Sequence, residues 1–216
     1  MPIQVPLFFM FAAMLMIPSY PYLVAGFFIC NAVFYSFAMA TGENDILFSV
    51  LLPVSKKGIV RGKISFVICI QLIAILLFTG MTFVNHLMFK GAGNNGGTDA
   101  SLTLIAGYFL LYSIFNAAFI PGYYKAPHKF GKQFLKALIA VFAFLFAFEG
   151  VMIASGAVEE SVPVLGFIKT NLDAFPASPS ALTVQLIMLA LCIGVYAVTN
   201  VLVCRRAEKN FDELDI

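Results

Sequence analysis

Thr41-Gly-Glu-Asn-Asp-Ile-Leu-Phe-Ser-Val-Leu-Leu-Pro-Val-Ser-Lys-Lys-Gly-Ile-Val-Arg-Gly-Lys63 separates two long apolar runs, one from about Tyr22 to Ala40 and one from about Ile64 to Val84. About 20 mostly apolar residues wind into a helix that crosses the ~30 Å hydrocarbon core of a bilayer, so each run has the length of a membrane span. Gly42 and Glu43-Asn44-Asp45 give the intervening stretch an acidic, cap-like start to a short helix. Ile46, Leu47, Val50 and Leu51 recur at helical spacing, which makes one face of that helix apolar. Pro53 ends it, because the residue before a proline, Leu52, is pushed out of the helical region. Ser55 is placed to cap a second helix, with Lys56 and Lys57 in its first turn, that runs through Ile59 and Val60 into the next span.

Composition extends the membrane reading to the whole chain. Of 216 residues, 61% are hydrophobic and 11% charged, and the mean hydropathy is +0.95. Soluble domains carry about 25% charged residues. With no Trp in the chain, Tyr20, Tyr22, Tyr123 and Tyr124 are the candidates for interface anchors at span ends. A net charge of +2 gives no support for nucleic-acid binding. The cysteines (Cys30, Cys69, Cys192 and Cys204) fall in apolar runs without metal-ligand spacing and read as packing residues. No Lys or Arg precedes Lys56, so a cleavable signal peptide is not expected.

Six spans are expected, at about 3–17, 22–40, 64–84, 102–120, 134–155 and 181–204, in a single domain covering 1–216. The first is short and is followed by Pro18-Ser-Tyr-Pro21, so it either extends through the prolines or lies partly in the interface. The long segment 157–180, with Pro163, Pro176 and Pro179, forms an outer loop, and a charged tail follows Arg205. With six spans both termini share a side with loops 42–63 and 121–133, and eleven of the thirteen basic residues fall there. The inside-positive rule makes that side cytoplasmic.

Chemistry is sparse. Gly58-Ile-Val-Arg-Gly62-Lys63 superficially matches a phosphate-binding loop but has three residues between its glycines and Ile64 after the lysine, so no nucleotide site is expected. His86 and His128 fall in loops on opposite sides, and no catalytic or metal constellation is credible. Glu149 is an acid inside an apolar run, which costs on the order of 2 to 3 kcal/mol or more unless it faces protein or water. Two readings stand for it: a pathway or cation-binding residue, or a carboxyl reaching the outer interface. Asn31, Gln71, Asn116 and Asn200 lie in or near spans. Such residues serve more often as interhelical hydrogen-bond partners, worth about 0.6 kcal/mol each, than as substrate ligands; Asn31, Asn116 and Glu149 are the candidates for a translocation pathway.

An amphipathic helix with an acidic start and a basic end suits a specific socket on a partner better than an anionic membrane surface. At this point Glu43-Asn-Asp45 and Leu51-Leu-Pro-Val-Ser-Lys-Lys-Gly-Ile-Val-Arg-Gly-Lys63 together resemble the cytoplasmic segment of ABC-2-type export permeases. In that family a run of the form LPVS(R/K), then IV, then GK, joins the second and third spans. Pro18-Ser-Tyr-Pro-Tyr22, Phe27-Phe-Ile-Cys30, the six-span layout and the long loop before the last span extend the resemblance. It departs at the amino end, where the family's basic amphipathic segment is replaced by apolar sequence.

The resemblance implies an all-α polytopic membrane protein with a cytoplasmic coupling helix at residues 44 to 53 and re-entrant helices before span six. It also implies a machine of two permease chains, expected as a homodimer, and two cytoplasmic ABC ATP-binding subunits that carry ATP and Mg. This chain itself would bind no cofactor and catalyse nothing. ATPase coupling would fall to Glu43, Asn44, Asp45, Leu47, Val50, Leu51, Leu52, Pro53, Lys56 and Lys57. The expected setting is the bacterial cytoplasmic membrane, and the expected cargo is an amphipathic or hydrophobic substrate, peptides above all. The competing readings are a secondary transporter or channel that uses Glu149, and a non-transporting assembly or immunity protein.

Overall fold

The computed structural model describes residues 4–17, 19–43, 48, 51, 53–89, 94, 96–157, 163–173 and 178–214. Among them every regular element is helical. The order is α1 (Gln4–Leu7), which continues as a 3-10 helix over Phe8–Met16, then α2 (Val24–Gly42), α3 (Lys56–Phe89) and α4 (Leu102–Lys125). A 3-10 turn at Pro127–Lys129 leads into α5 (Phe130–Ala157), followed by α6 (Pro163–Ile168), a π-helical turn at Lys169–Asp173, and α7 (Pro179–Asp212). Five helices, α2, α3, α4, α5 and α7, are long and apolar enough to cross a membrane.

The central helix is α4. Of its most apolar window 78% is buried, against 22% to 50% in the other four. Its side chains are apolar or aromatic on nearly every face, and a helix apolar all round must be enclosed. Close approach depends on small residues: a Cβ on Gly26 of α2 would lie 2.7 Å from Tyr108 Cδ1 of α4. Around α4, the outer helices expose Leu72, Leu76, Ile139, Phe146, Leu191 and Val198, the surface expected where the surrounding solvent is hydrocarbon.

Among the described residues Gln4–Met16, the expected short first span, is not one of the helices long enough to count as a membrane crossing. It nevertheless lies along α2 in the opposite direction. Phe11 stacks on Phe28 at 3.7 Å between ring centroids, and Phe8 reaches Tyr35 at 5.6 Å. A 3-10 helix rises about 2.0 Å per residue against 1.5 Å in an α-helix, so these thirteen residues reach about 24 Å rather than about 20 Å.

The other helices overrun their expected bounds. Helix α3 begins at Lys56, capped by Ser55, whose Oγ accepts from the Gly58 N–H at 3.1 Å. It runs to Phe89, so His86 is in its last turn rather than in a loop. Helix α4 runs through Pro121 to Lys125, so the expected loop 121–133 contracts to a 3-10 turn between two helices. The charged tail is the helical end of α7. The expected outer loop, 157–180, contains α6 and the π-helical turn.

The tyrosines are not interface anchors throughout. Tyr22, Tyr123 and Tyr124 are buried, because their hydroxyls and rings have partners inside the bundle. Tyr123 Oη and Thr41 Oγ1 share a hydrogen bond of 3.0 Å, and Tyr124 packs edge-on to Phe211 at 5.4 Å.

Phe211 is fully buried although it lies in the most polar part of the chain. Phe211→Ala should therefore cost about 3 kcal/mol and open residues 205–214 to limited proteolysis in detergent. Unchanged protease protection would show that the tail is not held by this ring.

Candidate functional site

The two ends of the bundle differ in chemistry. One end gathers the termination of α2, the start of α3, the α4–α5 turn and the end of α7. The opposite end gathers residues 15–23, 94–101, Glu149 and Leu172.

At the first end, Glu43 follows α2 and its N–H donates to Met39 O at 2.9 Å. The expected coupling residues Asn44, Asp45, Leu47, Val50 and Leu52 lie outside the described residues. Of the segment that is described, Phe48, Leu51 and Val54 are 68%, 81% and 52% exposed, and Pro53 is exposed. Apolar side chains three residues apart thus point away from the bundle at its charged end.

The base of α3 is tied to the end of α7. Arg61 Nε donates to Glu208 Oε1 at 2.6 Å, Lys56 Nζ donates to Leu214 O at 3.0 Å and sits 5.8 Å above the Phe211 ring, and Lys57 lies 3.9 Å from Asp212. Asn210 Nδ2 donates to Pro121 O at 2.7 Å, satisfying a carbonyl near the end of α4. Lys63 reaches back to α2, with Nζ 3.4 Å from Ser36 O and 5.2 Å above the Phe37 ring. The expected coupling lysine Lys56 is thereby engaged inside the chain, while Lys57 is more exposed.

The Arg61 guanidinium holds the Glu208 carboxyl below its ordinary value of 4.5. A depressed carboxyl contributes its stability above the unfolded value and loses it as pH falls through the folded one. The clasp is therefore insensitive to changes around neutral pH and weakens only on strong acidification.

Midway through the bundle, three helices meet in one polar network. Gln71 Nε2 of α3 donates to Asn116 Oδ1 of α4 at 2.8 Å, and Asn116 Nδ2 donates to Gln71 Oε1 at 2.9 Å and to Asn200 Oδ1 of α7 at 3.0 Å. Tyr196 Oη donates to Gln71 Oε1 at 2.7 Å, and Asn200 Nδ2 donates to Tyr196 O at 2.9 Å. Gln71 and Asn116 are completely buried. Asn31 stands apart, its Nδ2 donating to Phe27 O of its own helix at 3.3 Å.

Glu149 lies at the opposite end and is 6% exposed, an arrangement that neither sequence expectation described. Its Oε1 accepts from the Leu23 N–H at 3.2 Å, and its Oε2 accepts from the Thr98 N–H at 2.7 Å and the Thr98 hydroxyl at 3.1 Å. The Glu149 carboxyl thus ties the start of α2 to Thr98. Gly97 has φ +150°, and a Cβ there would overlap the Glu149 carboxylate. Asn94 reinforces the tie, donating to Tyr20 O at 2.8 Å and Thr98 O at 3.1 Å. Asn116 and Glu149 therefore belong to separate hydrogen-bonded clusters.

A family model described as "ABC-2 family transporter protein" matches residues 1–205. No curated protein and no solved structure matches the chain.

Removing the Glu149 carboxylate leaves buried donors without partners, each costing about 1–3 kcal/mol. Glu149→Ala should raise hydrogen exchange at residues 22–26 and 96–101 together, while Glu149→Gln retains part of the protection. Wild-type protection in the alanine variant would show that the carboxylate does not hold the two segments.

Proposed function

We propose, from the premise that this chain belongs to the ABC-2 transporter family, that it is the membrane-spanning subunit of an ATP-driven exporter. Two such chains pair as a homodimer, and a cytoplasmic ATP-binding subunit sits under each, carrying ATP and Mg. The cargo is an amphipathic or hydrophobic substrate, a peptide above all. The chain crosses the bacterial cytoplasmic membrane six times, the first crossing being made by Gln4–Met16 alongside α2. With most of the Lys and Arg at one end of the bundle, both termini face the cytoplasm.

The observation that carries this reading is the exposed apolar row of Phe48, Leu51 and Val54 at the basic end. Such side chains gain about 1.5–3 kcal/mol each when fully buried, and an ATPase cleft is the surface that buries them in this reading. Motion of the segment would pass directly into α2 and α3, its two chain neighbours. Through Arg61–Glu208 and Lys56–Leu214 it would also reach α7. Proton exchange at Glu149 finds less support, since the carboxylate is occupied by the donors of Leu23 and Thr98.

Phe48→Asp with Leu51→Asp should leave membrane insertion intact, weaken co-purification of the ATPase by more than about tenfold, and abolish ATP-dependent peptide uptake into inverted vesicles. A variant that retained the ATPase and transported normally would overturn the assignment.

A further inference from the structure

The chain has two basic clusters at the same end, and they differ in how their charge is met. Around the base of α3, Arg61 and Lys57 are matched by Glu208 and Asp212, and Lys209 by Glu213. Around the α4–α5 turn, Lys125, Lys129, Lys132 and Lys136 are all exposed, and among the described residues no carboxylate pairs with any of them. No Asp or Glu occurs in the sequence between Asp99 and Glu149.

The second cluster also has a fixed direction. Lys132, Leu135, Ile139, Phe142 and Phe146 follow one another at three- or four-residue intervals and so share one face of α5. Leu135, Ile139 and Phe146 are 56%, 63% and 77% exposed, forming the outward apolar surface of that helix. Lys132 begins that stripe, and Lys129 and Lys136 flank it. The base of α5 is anchored: Phe134 stacks on Phe34 of α2 at 3.8 Å, and a Cβ on Gly122 would lie 2.6 Å from Gln133 Oε1. The lysines are therefore presented from a rigid turn, at the level where an apolar helix face gives way to charge.

We propose that Lys129, Lys132 and Lys136, with Lys125 beside them, form a binding site for the headgroup of an anionic phospholipid. Lysine stems lie along acyl chains while their ammonium groups meet phosphate, and basic residues next to a span attract anionic lipid in this way. An acidic protein surface is the less suitable partner, because the outward face that Lys132 heads is apolar and meets lipid along α5. The proposal requires only that the chain spans a bilayer and is independent of the transported substrate.

The test uses the full chain in nanodiscs of phosphatidylcholine with a minor fraction of phosphatidylglycerol. Lipids retained after detergent extraction are counted by native mass spectrometry. Wild type should retain phosphatidylglycerol over phosphatidylcholine by about tenfold or more, and Lys129→Gln/Lys132→Gln/Lys136→Gln should lose most of that preference. The corresponding triple Arg variant should restore it, and Lys57→Gln should leave it unchanged. Labelling of a cysteine introduced in the tail confirms that each variant keeps its orientation. Equal phosphatidylglycerol retention by wild type and the Gln variant would overturn the proposal. So would a Gln variant that kept its lipid preference but lost a co-purifying ATPase, which would assign the cluster to protein contact.

Discussion

Hydrocarbon offers no hydrogen bonds, so a polar group placed among apolar helices is costly unless it finds a partner. The network of Gln71, Asn116, Tyr196 and Asn200 is the clearest response to that constraint. Each amide there both donates and accepts, and the result joins α3, α4 and α7 at one level. Helix α4 is the enclosed helix and carries the shared partner, Asn116, while α3, α5 and α7 turn apolar faces outward.

The same constraint explains Glu149. A buried carboxyl is tolerated when backbone and side-chain donors surround it. Here the donors come from a helix start and from Thr98 beside Gly97, so the costly residue also ties together that end of the bundle. The two ends of the bundle therefore use opposite arrangements. One is held by a buried carboxyl among donors, the other by ion pairs between α3 and α7.

Much of this was legible in the sequence. The long apolar runs located α2 to α5 and α7, because period and length are local properties. Ser55 followed by two lysines announced the start of α3, and the structure shows that cap. What escaped were features that depend on who lies opposite. Charge density marked 205–212 as a tail, yet Tyr196, Asn200, Val203, Ala207 and Phe211 continue one buried helical row straight through it. That row was a readable signal, masked by the charges between its members. The short first segment was ambiguous by length, since a count of residues assumes an α-helical rise, and Phe8–Met16 is wound more tightly. No local pattern distinguishes Glu149 among donors from Glu149 at an interface. Its partners, Leu23 and Thr98, lie 126 and 51 residues away.

Helix α3 has one further property that follows from where Gln71 sits. The helix is unbroken over 34 residues, and at 1.5 Å per residue Gln71 stands about 22 Å from Lys56 and about 27 Å from Phe89. The two arms on either side of that residue are of similar length. A rigid tilt about Gln71 would carry the Lys56 and Phe89 ends in opposite directions, the Phe89 end by a slightly larger distance.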